Sequence, residues 1–153
     1  MQPLIAFCQR FATERVCAEH LEEMRWPEGP MCLRCGSTRI YSCASRRIFK
    51  CGHCQQQFTV RIGTMFERSH IPLRKWYVAI YLLAEQKQVA SSIQIAKRLD
   101  ITQKSAWYMV QRVRYALAGQ PGAITPPPAL DIDIPFDELM TRLIKPADRE
   151  LYR

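Results

Sequence analysis

No run in this sequence is long and apolar enough to cross a bilayer. The longest, WYVAIYLLA at 76–84, is about half of the roughly 20 residues a spanning helix needs. The opening MQPLIAFCQRF lacks a signal peptide's apolar centre, because Arg10 follows too short a run. No membrane attachment is expected. A cytosolic chain keeps its thiols reduced, so paired cysteines there mean metal or redox chemistry before disulfides. Acidic residues are also scarce, 14 against 22 basic, which gives a net charge of +8. That shortage favours a polyanionic partner, nucleic acid ahead of an anionic membrane surface, although charge can simply keep a protein soluble. The imbalance is local. Residues 1–130 carry 18 basic and 8 acidic groups, whereas residues 131–153 carry 4 and 6.

What the sequence does have is CLRCGSTRIYSCASRRIFKCGHC, in which Cys32, Cys35, Cys51 and Cys54 form C-x2-C-x15-C-x2-C. This is the spacing of a four-cysteine zinc site, each CxxC turning tightly so that two sulfurs aim at one point. Gly36 and Gly52 stand where such turns call for an unusual backbone angle. RIYSC and RRIFK read as short strands with Ser45 near the bend, and QFTVRI as a third. The reading is a zinc ribbon at 31–62, holding one structural Zn2+ in a closed sulfur shell. A thioredoxin-like motif expects one CxxC, and two pairs bracketing a hairpin argue against it. His53 could replace a cysteine ligand, but the four sulfurs already have the right spacing. Cys17 reads as a small core residue of the preceding helix. Arg34, Arg39, Arg46, Arg47 and Lys50, with Arg61 on the third strand, would form a face for phosphates; a solvated surface with protein contacts is the alternative.

Residues 1–30 form a helix and lead-in. Thr13 caps TERVCAEHLEEMRW, with Val16, Cys17, His20, Leu21 and Met24 on one stripe, and WPEGP ends it. Residues 70–118 follow with helical periodicity. PLRKWYVAIYLLAEQK carries Pro72 in its first turn and a broad apolar stripe of Leu73, Trp76, Tyr77, Ile80, Leu83 and Ala84. Ser91 or Ser92 caps a short helix with Ile93, Ala96 and Leu99 inward. After RLDIT, Thr102 caps a longer helix with Ala106, Met109, Val110, Val113, Ala116 and Leu117 on one stripe. Short helix, tight turn, longer helix is the helix-turn-helix pattern. Its outward side carries Gln103, Lys104, Trp107, Tyr108, Gln111, Arg112 and Arg114. The start of such a helix reaches base edges, so Gln103, Lys104 and Tyr108 are candidates for the major groove of double-stranded DNA. Ser105, Arg112 and Arg114 suit phosphates or water, and Trp107 is ambiguous.

The stretches LEEMRWPEGPMCLRCGS, FKCGHCQQQFTVRIGTMFERSHIPLRKWYVAIYLL and IAKRLDITQKSAWYMVQRVRYAL together resemble the N-terminal region of a family of bacterial insertion-sequence transposases. There a zinc ribbon leads into a helix-turn-helix, ahead of an RNase H-like catalytic domain. The resemblance implies that the four cysteines hold zinc and that residues 91–117 help recognise the element's terminal repeats. Asp131, Asp133, Asp137 and Glu138 are too closely grouped to build the family's two-metal site, so no catalysis is expected.

The expected fold is small α+β: a four-cysteine ribbon, an all-α helix-turn-helix unit, a Pro-rich linker at 119–135 and a short amphipathic helix within a flexible tail at 136–153. On that helix Phe136, Leu139, Met140, Leu143 and Ile144 form a stripe that either meets a protein partner or second copy, or packs back on its own domain. The expected function is sequence-specific DNA binding in the bacterial cytoplasm, on the nucleoid, as a regulator of transcription or transposition. The alternatives are a subunit that recruits or competes with a separate transposase, and a zinc-ribbon adaptor between proteins.

Overall fold

The computed structural model describes residues 3–43, 48–85, 91–118 and 134–144. Among the described residues six helices and three strands follow one another as α1 (Leu4–Arg10), α2 (Glu14–Arg25), β1 (Ile40–Cys43), β2 (Ile48–Cys51), β3 (Gln57–Phe58), α3 (Leu73–Glu85), α4 (Ser92–Leu99), α5 (Gln103–Ala118) and α6 (Phe136–Leu143). The fold is small α+β. Among the described residues no helix is long and apolar enough to cross a membrane.

The chain divides into two compact units, with α2 beginning in one and continuing into the other. The first comprises Met1–Cys17 and His70–Leu143; the second comprises Ala18–Ser69 and Ile144–Arg153.

The helical unit is built around α3, which is buried on nearly every side, as its broad apolar stripe requires. Aromatic rings form much of its core: Phe7 stacks on Tyr81 at 4.4 Å and Phe11 meets Tyr77 edge-on at 5.0 Å. Phe7 and Phe11 come from α1 and the residue that ends it, a helix too short to stand out by periodicity. Cys17 is buried here; burial pushes its thiol up to about 12, with Glu14 adding, so it is an inert core group.

A tertiary contact starts α3. Pro72 stands just ahead of the helix, where its carbonyl accepts from Trp76 N. The Glu14 carboxylate accepts from the N–H groups of Leu73 (2.7 Å) and Arg74 (3.0 Å), which lack intrahelical partners. A carboxylate also complements the positive end of the helix dipole. Replacing Glu14 by Gln should therefore lower stability by about 1–2 kcal/mol. Urea unfolding would show it as a reduced midpoint with an unchanged slope, and an unchanged midpoint would mean the cap contributes nothing.

Two helical stripes differ from expectation. Ile95, not Ile93, joins Ala96 and Leu99 inside, and Ile93 is 52% exposed. Ile95 lies four residues before Leu99 and so shares its face, whereas Ile93 in the first turn lies off it. On α2, Val16 faces solvent while Ala18 and Arg25 join Cys17 and Leu21 inside.

Arg25 explains a third difference. Its guanidinium, in a residue only 5% exposed, donates to the carbonyls of Val60 (2.9 Å) and Ile62. Those carbonyls are thereby held in a turn instead of a ladder. The third strand ends at Phe58, and successive turns follow, such as Thr64 N to Arg61 O and Glu67 N to Thr64 O. Gly63, at φ +78°, has no Cβ to meet Arg25 Nη2, which would lie 2.5 Å away.

The stripe on α6 is buried within the chain. Phe136, Leu139, Met140 and Leu143 are buried, as is Ile144 just beyond the helix, and α6 lies against α3 and α5. As placed, it offers no docking surface, because the aromatic groove of its own unit already covers it. Glu85 Oε1 accepts from Phe136 N at 3.1 Å, and Arg10 grips Asp137 through two bonds of 2.8 and 3.1 Å. The linker at 119–133, the tail from 145, and Ser45, Arg46 and Arg47 at the hairpin bend lie outside the described residues.

Candidate metal centre and nucleic-acid interface

In the second unit β1, β2 and β3 form an antiparallel sheet in that order. Ser42 pairs with Phe49 and Phe49 with Phe58, while Tyr41 pairs with Lys50 and Lys50 with Gln57. Alternation sends these two rows to opposite faces. Phe49 and Phe58 are buried and meet the Trp26 ring edge-on at 5.3 and 5.8 Å. The other row, Tyr41, Lys50 and Gln57, is exposed.

The sheet and its flanking turns bring the four cysteines together. The sulfurs of Cys32, Cys35, Cys51 and Cys54 all lie within 4.8 Å of one another. Cys32 Sγ is 3.5 Å from Cys54 Sγ, and Cys35 Sγ is 3.6 Å from Cys51 Sγ. A tetrahedron with Zn–S near 2.3 Å has edges of about 3.8 Å, so the sulfurs fit the ion as they stand.

The two knuckles repeat one local design. Cys32 Sγ accepts from the N–H groups of Arg34 and Cys35, and Cys51 Sγ accepts from those of His53 and Cys54. Donation from Cys54 N–H and then His53 N–H favours the thiolate and pulls Cys51 down to about 6. Four sulfurs this close cannot all ionise unaided. Cys35, despite help from the Ser37 N–H, is pushed up to about 12 by desolvation and its three sulfur neighbours. A divalent cation reverses that balance, and a closed shell of four sulfurs makes the zinc structural.

Each knuckle closes on a left-handed residue after its second cysteine, Gly36 at φ +74° and Gln55 at φ +65°. Gly52 is not that residue. Its place reflects a close approach: a Cβ there would lie 2.8 Å from the Tyr41 ring and 3.1 Å from Arg39 O, and its N–H donates to that carbonyl at 2.6 Å.

Of the basic ribbon residues, Arg34, Arg39 and Lys50 are exposed. Arg34 reaches Gln56 Oε1 at 3.4 Å. Arg61 sits in a turn rather than a strand, half-buried, and donates to Ser69 O at 3.2 Å. Tyr41 stands exposed beside Lys50, a neighbour that the sequence does not disclose because only strand register reveals which residues share a face.

In the helical unit, Ser91 caps α4 by accepting from Gln94 N, and α4 closes on Asp100 in the left-handed region at φ +53°. Two residues on, Thr102 caps α5, its Oγ1 accepting from Ser105 N at 3.1 Å. Ala106, Met109, Val110 and Val113 are buried, as their spacing requires. Gln103, Lys104 and Trp107 are exposed at the start of α5. Tyr108 is half-buried, edge-on to Trp76 at 6.5 Å, with the Arg112 guanidinium 5.2 Å above its ring. Arg112 and Arg114 are half-buried, and Gln111 has its Oε1 buried without a partner among the described residues.

Residues 12–57 match the transposase zinc-ribbon domain of the IS1595 type. The match begins just ahead of α2 and includes all four cysteines. The chain is also similar to an uncharacterised protein in transposable element ISH50 of Halobacterium salinarum. The two are 30% identical over 135 residues, which is 86% of this chain and 43% of that protein. The chain thus spans less than half the length of the relative it matches. No solved structure matches. The ribbon is transposase-related, and four close cysteines form its structural zinc site.

Proposed function

We propose that this chain is a sequence-specific double-stranded DNA-binding unit of transposase descent, performing no chemistry on the DNA and regulating transcription or transposition. The observation that carries the reading is the start of α5. There a capped helix, set behind a short helix and a left-handed turn, presents Gln103, Lys104 and Trp107 to solvent over a buried stripe. Helices placed this way reach base edges through their first turns, Gln pairing with adenine and Lys with guanine. Ribbon residues Arg34, Arg39 and Lys50 supply sequence-independent affinity for phosphates. The carboxylates of α6 serve structure in this reading, Asp137 held by Arg10 and Glu138 by Arg142 at 2.6 Å.

Selection from a randomised duplex pool at physiological salt tests it, because salt suppresses sequence-blind binding. An enriched motif is expected. Changing Gln103 and Lys104 together to Ala should weaken binding to it by about 2–4 kcal/mol while leaving non-specific binding nearly intact. No enrichment would leave the ribbon as a protein-contact module. A second reading, a DNA-binding subunit that recruits or competes with a separate transposase, draws on the likeness to a protein in transposable element ISH50. A catalytic chain co-purifying with this one on the selected DNA would support it.

A further inference from the structure

Trp107 is the large apolar side chain on α5 that the core does not account for. Its side chain is 56% exposed and has neither a hydrogen-bond nor a ring partner among the described residues, whereas the adjacent Tyr108 is engaged by Trp76 and Arg112. We propose, resting on the DNA-binding reading above, that Trp107 is a specificity-determining residue that reads the C5-methyl group of a thymine in the major groove.

The placement supports this. Trp107 follows Lys104 by three positions and Gln103 by four, so all three share one face of the helix. The Thr102 cap fixes where that face begins, with Ser105 N on its Oγ1 at 3.1 Å and Ala106 N on its carbonyl at 3.0 Å. An element that delivers Gln103 and Lys104 to base edges delivers Trp107 with them.

The chemistry selects the target. Base edges in the major groove offer donors, acceptors and one apolar group, the thymine methyl. Indole has a broad apolar ring, one N–H donor and no acceptor, so it cannot form the paired hydrogen bonds by which Gln or Arg identifies a base. The methyl is its complement, leaving the indole N–H for a phosphate or a neighbouring acceptor.

The test uses the intact zinc-loaded chain and its selected site, with each thymine replaced singly by deoxyuridine, which removes only the methyl group. One position should weaken wild-type binding about fourfold, the weight of a single buried methyl. Trp107→Ala should bind the thymine and uracil versions equally, while Trp107→Phe keeps the preference. Equal circular dichroism of the variants excludes a folding effect. A selected site in which no thymine substitution matters would overturn the proposal while leaving DNA recognition standing. So would a Trp107→Ala variant that still distinguishes the two bases. Failure to select any site would remove the DNA-binding reading, and this proposal with it.

Discussion

Stripping the zinc from this chain is expected to dismantle the ribbon while the helical unit keeps its helices. Apparent binding energies of structural zinc sites run to roughly 10–16 kcal/mol, as large as the net stability of a whole domain. The ribbon has little to set against that loss, with three strands of four, four and two residues and an apolar centre around Trp26, Phe49 and Phe58. Without the ion, four sulfurs within 4.8 Å become a repulsive cluster once ionised. The helical unit owes nothing to metal, since Phe7, Phe11, Tyr77, Tyr81 and Phe136 form its core. Excess chelator, or Cys51→Ser, should erase the dispersed amide signals of residues 31–58 and retain most of the helical ellipticity. On the DNA-binding function proposed above, affinity should fall, and its salt dependence should flatten by about one unit of log–log slope for each phosphate that the unfolded ribbon ceases to neutralise. A chelated chain with an unchanged amide spectrum would sink the structural role of the metal.

Removing the Phe136 side chain should be among the most damaging single changes in the helical unit. The ring is 1% exposed and lies 4.7 Å from Phe7, 5.6 Å from Phe11 and 5.7 Å from Tyr77, centroid to centroid. Truncation to Ala at such a site costs about 3–5 kcal/mol in lost transfer energy and cavity. Breaking the neighbouring Arg10–Asp137 pair should cost less than about 1 kcal/mol, because both side chains stay well exposed, at 39% and 62%. Comparing Phe136→Ala with Arg10→Ala by urea unfolding and amide exchange would separate the two. Rapid exchange confined to α6 in the Phe136 variant would mean the helix simply detaches. Equal effects from both variants would mean that the ion pair, rather than the ring, holds α6.

The parts legible in advance are those set by local chemistry. C-x2-C-x15-C-x2-C announces a four-sulfur site because each knuckle is a turn of four residues, and the sulfurs meet as that spacing implies. The buried stripe of α5 and its Thr102 cap were equally readable, since helical period and capping act within one or two turns. Gly36 was legible for the same reason, while its counterpart Gln55 was not, because nothing about glutamine signals a left-handed turn.

Other features depend on partners far along the chain. Arg25 looks like one more surface cation until the carbonyls of Val60 and Ile62 are beside it. Glu14 looks like a first-turn acid of α2 until the bare N–H groups of Leu73 and Arg74 are presented to it. The stripe of α6 fits a partner protein as well as its own groove, and the choice came from Phe136 entering the ring cluster of α1 and α3. By itself the sequence determined where the longer helices, the hairpin and the metal ligands lie, because those follow from spacing within a few residues, whereas α1 is too short to announce itself that way. Only the tertiary structure decided which polar side chains act as clamps and which face solvent, because a hydrogen bond is set by distance in space and not by separation in sequence.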